Sequence, residues 1–455
     1  ASVIVNGAFN FFKIERITSG KGKPPFELKD MIKLIFYGYI NKITSSVVLA
    51  HNAKFNYLYN LISHAIEPKD RTIRDYREDF QGIFQFIMSF ILIVANKLGL
   101  TDFEHIAIDG TIKKAYNSPF NIIKEKDISL LIRHYMVEEL SKDEIKQLRR
   151  TARKFLMDNS LSDEEKVDIL FHWWQLLDYS GQVSLALNDH DARLMKIKDK
   201  GLKYPKFAYN IQLGTDTKSK LICGVNAVQN PTDHYQIPAL MNQILTNLNS
   251  KPSKISADTI YLNQISLSYL ADKKIDGLIP TRKQSKEKIG KLNPNPYHKD
   301  HFEYDYELDA FKCPEGNYLH FFGKYIEPHK DPEKPDKIKR LYNNYEACKH
   351  CPARNKCCSS SQTHRTITEY GSEMQKAMNQ KMEKQEYKDE YAKRSSVEGP
   401  FGIFKEQFQI EKEVVTGMIK TEERINQDTQ AYNLIKLTNT VCSLLYLMDS
   451  IRFPL

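Results

Sequence analysis

Four side chains in the last quarter of the chain have types and spacing that suit phosphate chemistry: Tyr391, Arg394, Glu398 and Lys405, within YKDEYAKRSSVEGPFGIFKEQFQ. On a helical wheel at about 100° per residue they fall in one sector roughly 60° wide. A carboxylate on that face can hold a metal ion while the guanidinium and ammonium grip phosphate oxygens, bidentate contact favouring arginine. The same pattern on an exposed helix gives no more than helix-spaced ion pairs. Gly399 and Pro400 follow the glutamate. Because proline clashes with the carbonyl four residues back, the chain is expected to kink, or to join two helices, just after Glu398.

Two strand-like segments upstream each end in an aspartate. EHIAIDGT, residues 104–111, reads as an apolar strand ending in Asp109-Gly110, which by itself is also an ordinary Asp-Gly turn. KISAD ends at Asp258, which can equally cap the turn into a helix starting near Gln264. Between them, KFAYNIQLGTD and KLICGVNAV read as a hairpin, and HYQIPALMNQILTNL as a helix opened by Thr232 or Asp233. DGLIPTR adds a fifth strand. Strand, hairpin, helix, strand, helix, strand is the order of an RNase H-like mixed five-stranded sheet flanked by helices, an α/β (mixed) fold. Its first and fourth strands are parallel neighbours, so Asp109 and Asp258 are expected to meet on one rim.

The spacing Tyr391-x2-Arg394-x3-Glu398-x6-Lys405 resembles the Y-x2-R-x3-E-x6-K signature of bacterial insertion-sequence DDE transposases. RSSVEGPFGIFK and the later AYNLIKL look like the same family, AIDGT resembles its first aspartate motif, and ADTIYLN resembles its second. That second motif is usually written with Ala-Gly between Asp and Tyr, where this chain has Thr259 and Ile260. The resemblance runs from about residue 20 to 440. It implies a catalytic triad of Asp109, Asp258 and Glu398 holding two Mg2+ (or Mn2+) ions. Asp109 then bridges both ions, and Tyr391, Arg394 and Lys405 position DNA phosphates. The implied reaction is metal-dependent cleavage at the element's ends, followed by attack of the 3′ hydroxyl on target DNA. A domesticated DNA-binding protein that no longer cuts, or a stand-alone metal-dependent endonuclease, are the alternatives.

Four units position these residues: a helical N-terminal domain, 1–100; a first catalytic part, 101–282, with a helical hairpin inserted at about 120–180; a β-rich insert with a cysteine cluster, 283–385; and a second catalytic part with C-terminal helices, 386–455. In the first, Leu28, Met31, Ile32 and Ile35 mark one helix, a second starts after Thr44 or Ser45, and Thr72 with Asp75 forms a capping box for a third. Arg71, Arg74 and Arg77 lie along one side of that third helix, suited to phosphates or to neighbouring acids. KPPFELKDMIKLIFYGYINKITSS resembles the family's end-reading helical domain. Ser141 with Glu144 and Ser162 with Glu165 are further capping boxes, and Trp173 and Trp174 read as core or docking residues. In the insert, FEYDYELDAFKCPEGNYLHFFGKYI alternates as a small antiparallel sheet. Cys313, Cys348, Cys351 and Cys357 can close a tetrahedral zinc site, with Cys358, His350 or His364 as substitutes. QAYNLIKLTNTVCSLLYLM is expected to pack on the sheet and bury Cys442.

Composition sets the remaining bounds. Lys and Arg number 66 against 57 Asp and Glu, a net charge of +9 that fits a polyanion without requiring one. The longest apolar run, FIMSFILIVA at 86–95, is too short to span a bilayer. No signal-peptide pattern opens the sequence. Seven cysteines with four crowded into 348–358 suggest metal ligands or reduced thiols over a disulfide framework. The expected partners are double-stranded DNA, as terminal repeats and target, and a second copy in a dimer or DNA-induced synapse, with no membrane. The expected location is the cytoplasm, at the nucleoid.

Overall fold

The computed structural model describes residues 1–15, 25–118, 120–199, 202–328, 336–407 and 415–452. Six helices come first: α1 (Ser2–Phe12), α2 (Leu28–Ile40), α3 (Ser46–Phe55), α4 (Tyr57–Ile62), α5 (Asp70–Asp79) and α6 (Gln81–Lys97). Helix α2 buries Leu28, Met31, Ile32 and Ile35 as its spacing requires, and Ser45 caps α3 by accepting from the Val48 amide. The Thr72 capping box does not form. Helix α5 starts two residues earlier, at Asp70, close behind Pro68, and Asp70 pairs with Arg74 at 2.9 Å, so Thr72 lies inside the helix. No single described helix is long and apolar enough to cross a membrane, although α5 and the bent continuation Gly82–Lys97 together pass on length and composition. In α6 the apolar run packs inward, with Ile87, Ile91 and Ala95 fully buried.

The larger sheet starts with β1 (His105–Lys114), whose Ile106, Ala107 and Ile108 are completely buried, as in a central strand covered on both faces. Next come β2 (Ile122–Lys124), α7 (Glu125–Met136), α8 (Lys142–Gln147), α9 (Arg150–Leu156), α10 (Asp163–Ser180) and β3 (Ser184–Ala186). The insert is therefore four helices clasped by the β2–β3 ladder, in place of the expected helical hairpin. Both expected capping boxes are present, each serine accepting from the glutamate amide three residues on, while the glutamate accepts from the serine amide. Trp173 packs in the core of this insert and Trp174 is 39% exposed.

Strands β4 (Arg193–Asp199), β5 (Leu202–Asp216) and β6 (Ile222–Val228), helix α11 (Ile237–Leu248), strand β7 (Lys254–Ser256), helix α12 (Gln264–Asp272) and strand β8 (Asp276–Leu278) complete the core. Strand order is β4-β5-β1-β7-β8 with β6 also on β5, and β1, β7 and β8 run parallel. This is an RNase H-like mixed sheet with one strand more than the five expected. Strand β5 is 15 residues long, and its first half outruns β1 and β6, so β4 pairs there.

Helix α13 (Arg282–Lys288) leads into the second insert. There β9 (Glu303–Asp305), β10 (Ala310–Lys312), β11 (Tyr318–Glu327), β12 (Lys337–Asn343) and β13 (Thr366–Tyr370) form the expected antiparallel sheet, five strands in meander order, with α14 (Tyr345–Lys349) and α15 (Arg354–Cys357) between β12 and β13. Helices α16 (Glu373–Lys381) and α17 (Gln385–Ala392) return the chain to the core. A 3-10 segment, Lys393–Val397, joins α17 to α18 (Glu398–Gln407), and α19 (Met418–Arg452) ends the fold.

Helix α19 is tied at two places. Its first amides are capped from the loop before β4: Asp191 accepts from the Met418 amide at 2.9 Å and Asp189 from the Gly417 amide at 3.2 Å. About one turn before its buried stretch ends, Asn433 donates to the Ile222 carbonyl and accepts from the Ile222 amide, both at 2.8 Å. A side-chain amide thus substitutes for a neighbouring strand at the β6 edge. Burial stops at Leu437, and Cys442 is exposed, contrary to expectation, because α19 has by then run past the sheet. Asn433→Leu strips two buried backbone groups of their partners, each worth about 1–3 kcal/mol when unmet. Urea unfolding of that variant is expected to show a loss of about 2 kcal/mol or more.

Candidate active site

Strand β1 does not end at Asp109. It continues to Lys114, paired throughout with β5, Asp109 standing opposite Leu213 and Gly110 opposite Gln212. What ends is its other neighbour: β7 pairs only with His105, Ile106 and Ala107. Beyond Ala107 that edge of β1 is open, and Asp109 sits in the opening. Asp258 follows two residues after β7 and accepts from the Ile260 amide at 2.9 Å, capping the 3-10 turn Thr259–Tyr261. The two aspartates therefore share one rim, and the capping role weighed for Asp258 is realised together with it.

The Lys393–Val397 segment packs against β1 and β5. From it Arg394 reaches Asp109 at 3.0 Å, with the arginine side chain 18% and the aspartate 26% exposed. Tyr391 lies beside Arg394 and is half-buried, and Lys288 of α13 stands 5.5 Å over its ring. Helix α17 is moored by Glu390, which pairs with Lys254 at the start of β7 at 2.9 Å. The Arg394 Nε is buried with no acceptor. Such a donor suits an oxygen brought in from outside, a phosphate being the best match to a guanidinium.

Burial raises the Asp109 carboxyl to about 6; Arg394 opposes the rise, and the charges of Asp258 and Asp233 add to it. Burial likewise raises Asp258. Carboxylates pushed upward by desolvation and by neighbouring acids gain most from a cation placed between them. As hard oxygen donors they suit Mg2+ or Mn2+.

Glu398 does not join them. The helical wheel placed Tyr391, Arg394, Glu398 and Lys405 on one face, but the five residues 393–397 are wound as a 3-10 turn. At about 120° per residue in place of 100°, that segment turns the helix beyond it by roughly 100°. Tyr391 and Arg394 face the aspartates, whereas Glu398 opens α18 with an exposed side chain. The expected break thus falls at Glu398 itself, which leaves Gly399 and Pro400 in a first helical turn where proline is tolerated. Lys405 is on α18, with its side chain outside the described residues. Among the described residues no three His, Cys, Asp or Glu side chains stand close enough together to hold an ion as oriented.

The expected DNA contacts in α5 differ among themselves. Arg71 and Arg74 are exposed. Arg77 turns inward, donating to the Thr44 carbonyl at 2.7 Å with its guanidinium 5.4 Å from the Tyr39 ring. In the insert, Cys313, Cys348, Cys351, Cys357 and Cys358 all line one cavity of about 30 Å3. The Cys313–Gly316 turn and the Cys348–Cys351 turn present two of its walls, closed by bonds from the Gly316 amide to the Cys313 carbonyl and from the Cys351 amide to the Cys348 carbonyl. Burial pushes the Cys348 and Cys357 thiols upward, and neighbouring cysteines add to the shift. His350 is exposed and His364 bonds Thr363, and neither lines the cavity.

Sequence reasoning missed four residues at the rim. Asp233 does not cap α11, whose N-cap is Gln236. Its Oδ1 accepts instead from Asn210 Nδ2 at 2.8 Å and Gln212 Nε2 at 2.6 Å, and Tyr261 donates to Gln212 Oε1 at 2.5 Å. The available signal was Asn210 and Gln212, two amides alternating with Ile211 and Leu213 in an otherwise apolar strand.

The fold is an RNase H-like mixed sheet in which two rim aspartates face an arginine from the 3-10 segment Lys393–Val397. Residues 312–438 match the family model of the transposase DDE domain, which supports a DDE transposase of the insertion-sequence kind. The matched stretch contains Tyr391, Arg394 and Glu398 together with the insert cysteines, and excludes Asp109 and Asp258. No curated protein matches the chain. A Cβ on Gly110 would lie 2.3 Å from Asp233 Oδ1 and 2.6 Å from Gln212 Nε2. Gly110→Ala is therefore expected to cost about 1–3 kcal/mol in thermal or urea unfolding and to displace the rim, whereas Gly82→Ala, open on all sides, is expected to be well tolerated.

Proposed function

We propose that the protein is the transposase of a bacterial insertion sequence, cutting the element's ends and joining the freed 3′ hydroxyl to target DNA at a site built on Asp109, Asp258 and Glu398. The observation that carries this reading is the convergence of Asp109, Asp258 and Arg394 from three distant segments onto the open edge of β1. Two divalent ions held there would activate the attacking oxygen and stabilise the leaving one. Asp109 would bridge the ions, while Asp258 and Glu398 would each complete one. Glu398 reaches the rim when the 3-10 segment 393–397 rewinds toward α-helical phase, a change that removes the rotation separating it from Arg394. The Arg394 guanidinium would then exchange its hold on Asp109 for a DNA phosphate, with Tyr391 and Lys405 placed to assist.

The N-terminal helices, 1–100, would read the terminal repeats, with Arg71 and Arg74 on phosphates and Arg77 at the margin of that contact. Two copies would pair two ends as a dimer or DNA-induced synapse. The insert cysteines would hold one structural zinc through Cys313, Cys348, Cys351 and Cys357, Cys358 being the alternate fourth ligand. The donor type fits: all five cysteines line one cavity, and the Cys348 and Cys357 thiols, pushed up by burial and further by neighbouring cysteines, would be relieved as thiolates on Zn2+.

Labelled DNA from the element's own termini, incubated with Mg2+, Mn2+ or Ca2+, is expected to be nicked at the terminus in a metal-dependent way. Asp109→Ala and Glu398→Ala are each expected to abolish nicking and to leave end binding within about threefold of wild type. Cleavage by Glu398→Ala would refute the triad. Equal cleavage of plasmids with and without the termini would favour the stand-alone nuclease, and tight end binding without nicking in any metal would favour the domesticated binder. Metal analysis of protein expressed with metal in excess and purified under reducing conditions is expected to find about one zinc per chain, and its absence would remove the zinc centre.

A further inference from the structure

Behind the rim lies a line of polar side chains that the proposed chemistry does not use. Asn210 and Tyr261 are 1% and 0% exposed, and Gln212, between them, is also 0% exposed. Burying three such groups in a central sheet costs stability unless each is paired. Here each is. Tyr261 donates to Gln212, Gln212 donates to Asn210 Oδ1 at 2.9 Å and to Asp233, and Asn210 donates to Asp233. The chain of bonds ends at a single acceptor, the Oδ1 of Asp233. It runs from β5 to the turn that carries Asp258, since Tyr261 is three residues on from that aspartate. Its middle lies on Gly110, where the missing side chain leaves the space that Asp233 and Gln212 fill. Successive strand residues point to opposite faces, so Asp109 is held by Arg394 on one side while its neighbour is pressed by this network on the other.

We propose that Asp233 is a positioning residue for the transposition reaction, one that fixes the Asp109 strand against the Asp258 turn through Gln212 and Tyr261. The inference rests on the transposase reading of the same rim. What Asp233 supplies is an acceptor that satisfies two buried amides at once, a place no apolar side chain can take. Its negative charge is not what the role needs.

That distinction is the test. In Asp233→Asn the side-chain carbonyl still accepts from both amides while the charge is gone. In Asp233→Ala the acceptor is gone as well. Each full-length variant, and Tyr261→Phe, is titrated with Tb3+ by tyrosine-sensitised luminescence, assayed for Mg2+-dependent nicking of end DNA, and checked for end binding and unfolding midpoint. Asp233→Asn is expected to stay within about threefold of wild type in Tb3+ affinity and nicking. Asp233→Ala and Tyr261→Phe are each expected to lose about tenfold or more in both, with end binding retained. Their double variant is expected to be no worse than Asp233→Ala alone, as for members of one network. If Asp233→Ala does not fold, Asp233→Asn and Tyr261→Phe carry the same comparison. Equal losses in Asp233→Asn and Asp233→Ala would overturn the proposal by showing that the charge acts directly, and wild-type behaviour in Tyr261→Phe would overturn it by uncoupling the network. A wild type that binds Tb3+ at the rim but cuts no DNA would overturn the transposase reading, and the positioning role in catalysis with it.

Discussion

The ion pair between Asp109 and Arg394 joins residues 285 positions apart and is the contact on which the candidate site turns. Desolvation makes a carboxylate on β1 costly, and the arginine offsets that cost without removing it, leaving the carboxyl raised to about 6. In this arrangement the guanidinium is the cation that faces the carboxylate. It keeps an acid buried at the edge of a sheet, and it keeps the late helices seated against the strand that bears the acid. The remaining contacts around it, Glu390 with Lys254 and the packing of residues 393–397 on β1 and β5, serve to bring that guanidinium within reach.

The open edge of β1 exists because β7 is only three residues long. A longer β7 would pair with Asp109 and Gly110 and close the rim to any ligand. The chain leaves the sheet at Ser256, and Asp258 turns back beside Asp109. Gly110 extends the same logic, since its lack of a side chain admits Asp233 and Gln212 to the strand.

Much of this was legible in the sequence because the signals were local. Asp109 and Asp258 stand next to buried apolar runs, and the capping boxes at Ser141 and Ser162 need only four residues each. The order of strands followed from the same runs, and so did the antiparallel sheet of the second insert. What was not legible depended on tertiary packing. The facing of Glu398 turned on five residues adopting 3-10 winding against the sheet, a difference of about 20° per residue that no wheel reveals. Thr72 had the residues of a capping box but lost the role to an earlier helix start, and Cys442 sat in an apolar pattern that outran its partners. Asp233 was ambiguous because its partners, Asn210 and Gln212, come from a strand more than 20 residues away and become neighbours only once the sheet is built. The extra strand β4 was hidden for the same reason, as it is set by how far β5 outreaches β1, and the first insert holds four helices where two were expected.

The bracket that Asn433 makes on Ile222 has a consequence for the order in which the protein comes into being. The backbone of Ile222 at the β6 edge is completed by a side chain made 211 residues later, and the caps from Asp189 and Asp191 wait for Gly417 and Met418. Contacts of such long sequence separation form late and only after much chain entropy has been lost. While the ribosome is still translating, the larger sheet lacks this edge closure, and Arg394 has not yet arrived to pair with Asp109. A nascent chain therefore completes its N-terminal helices some 300 residues of synthesis before Arg394 is available to face Asp109.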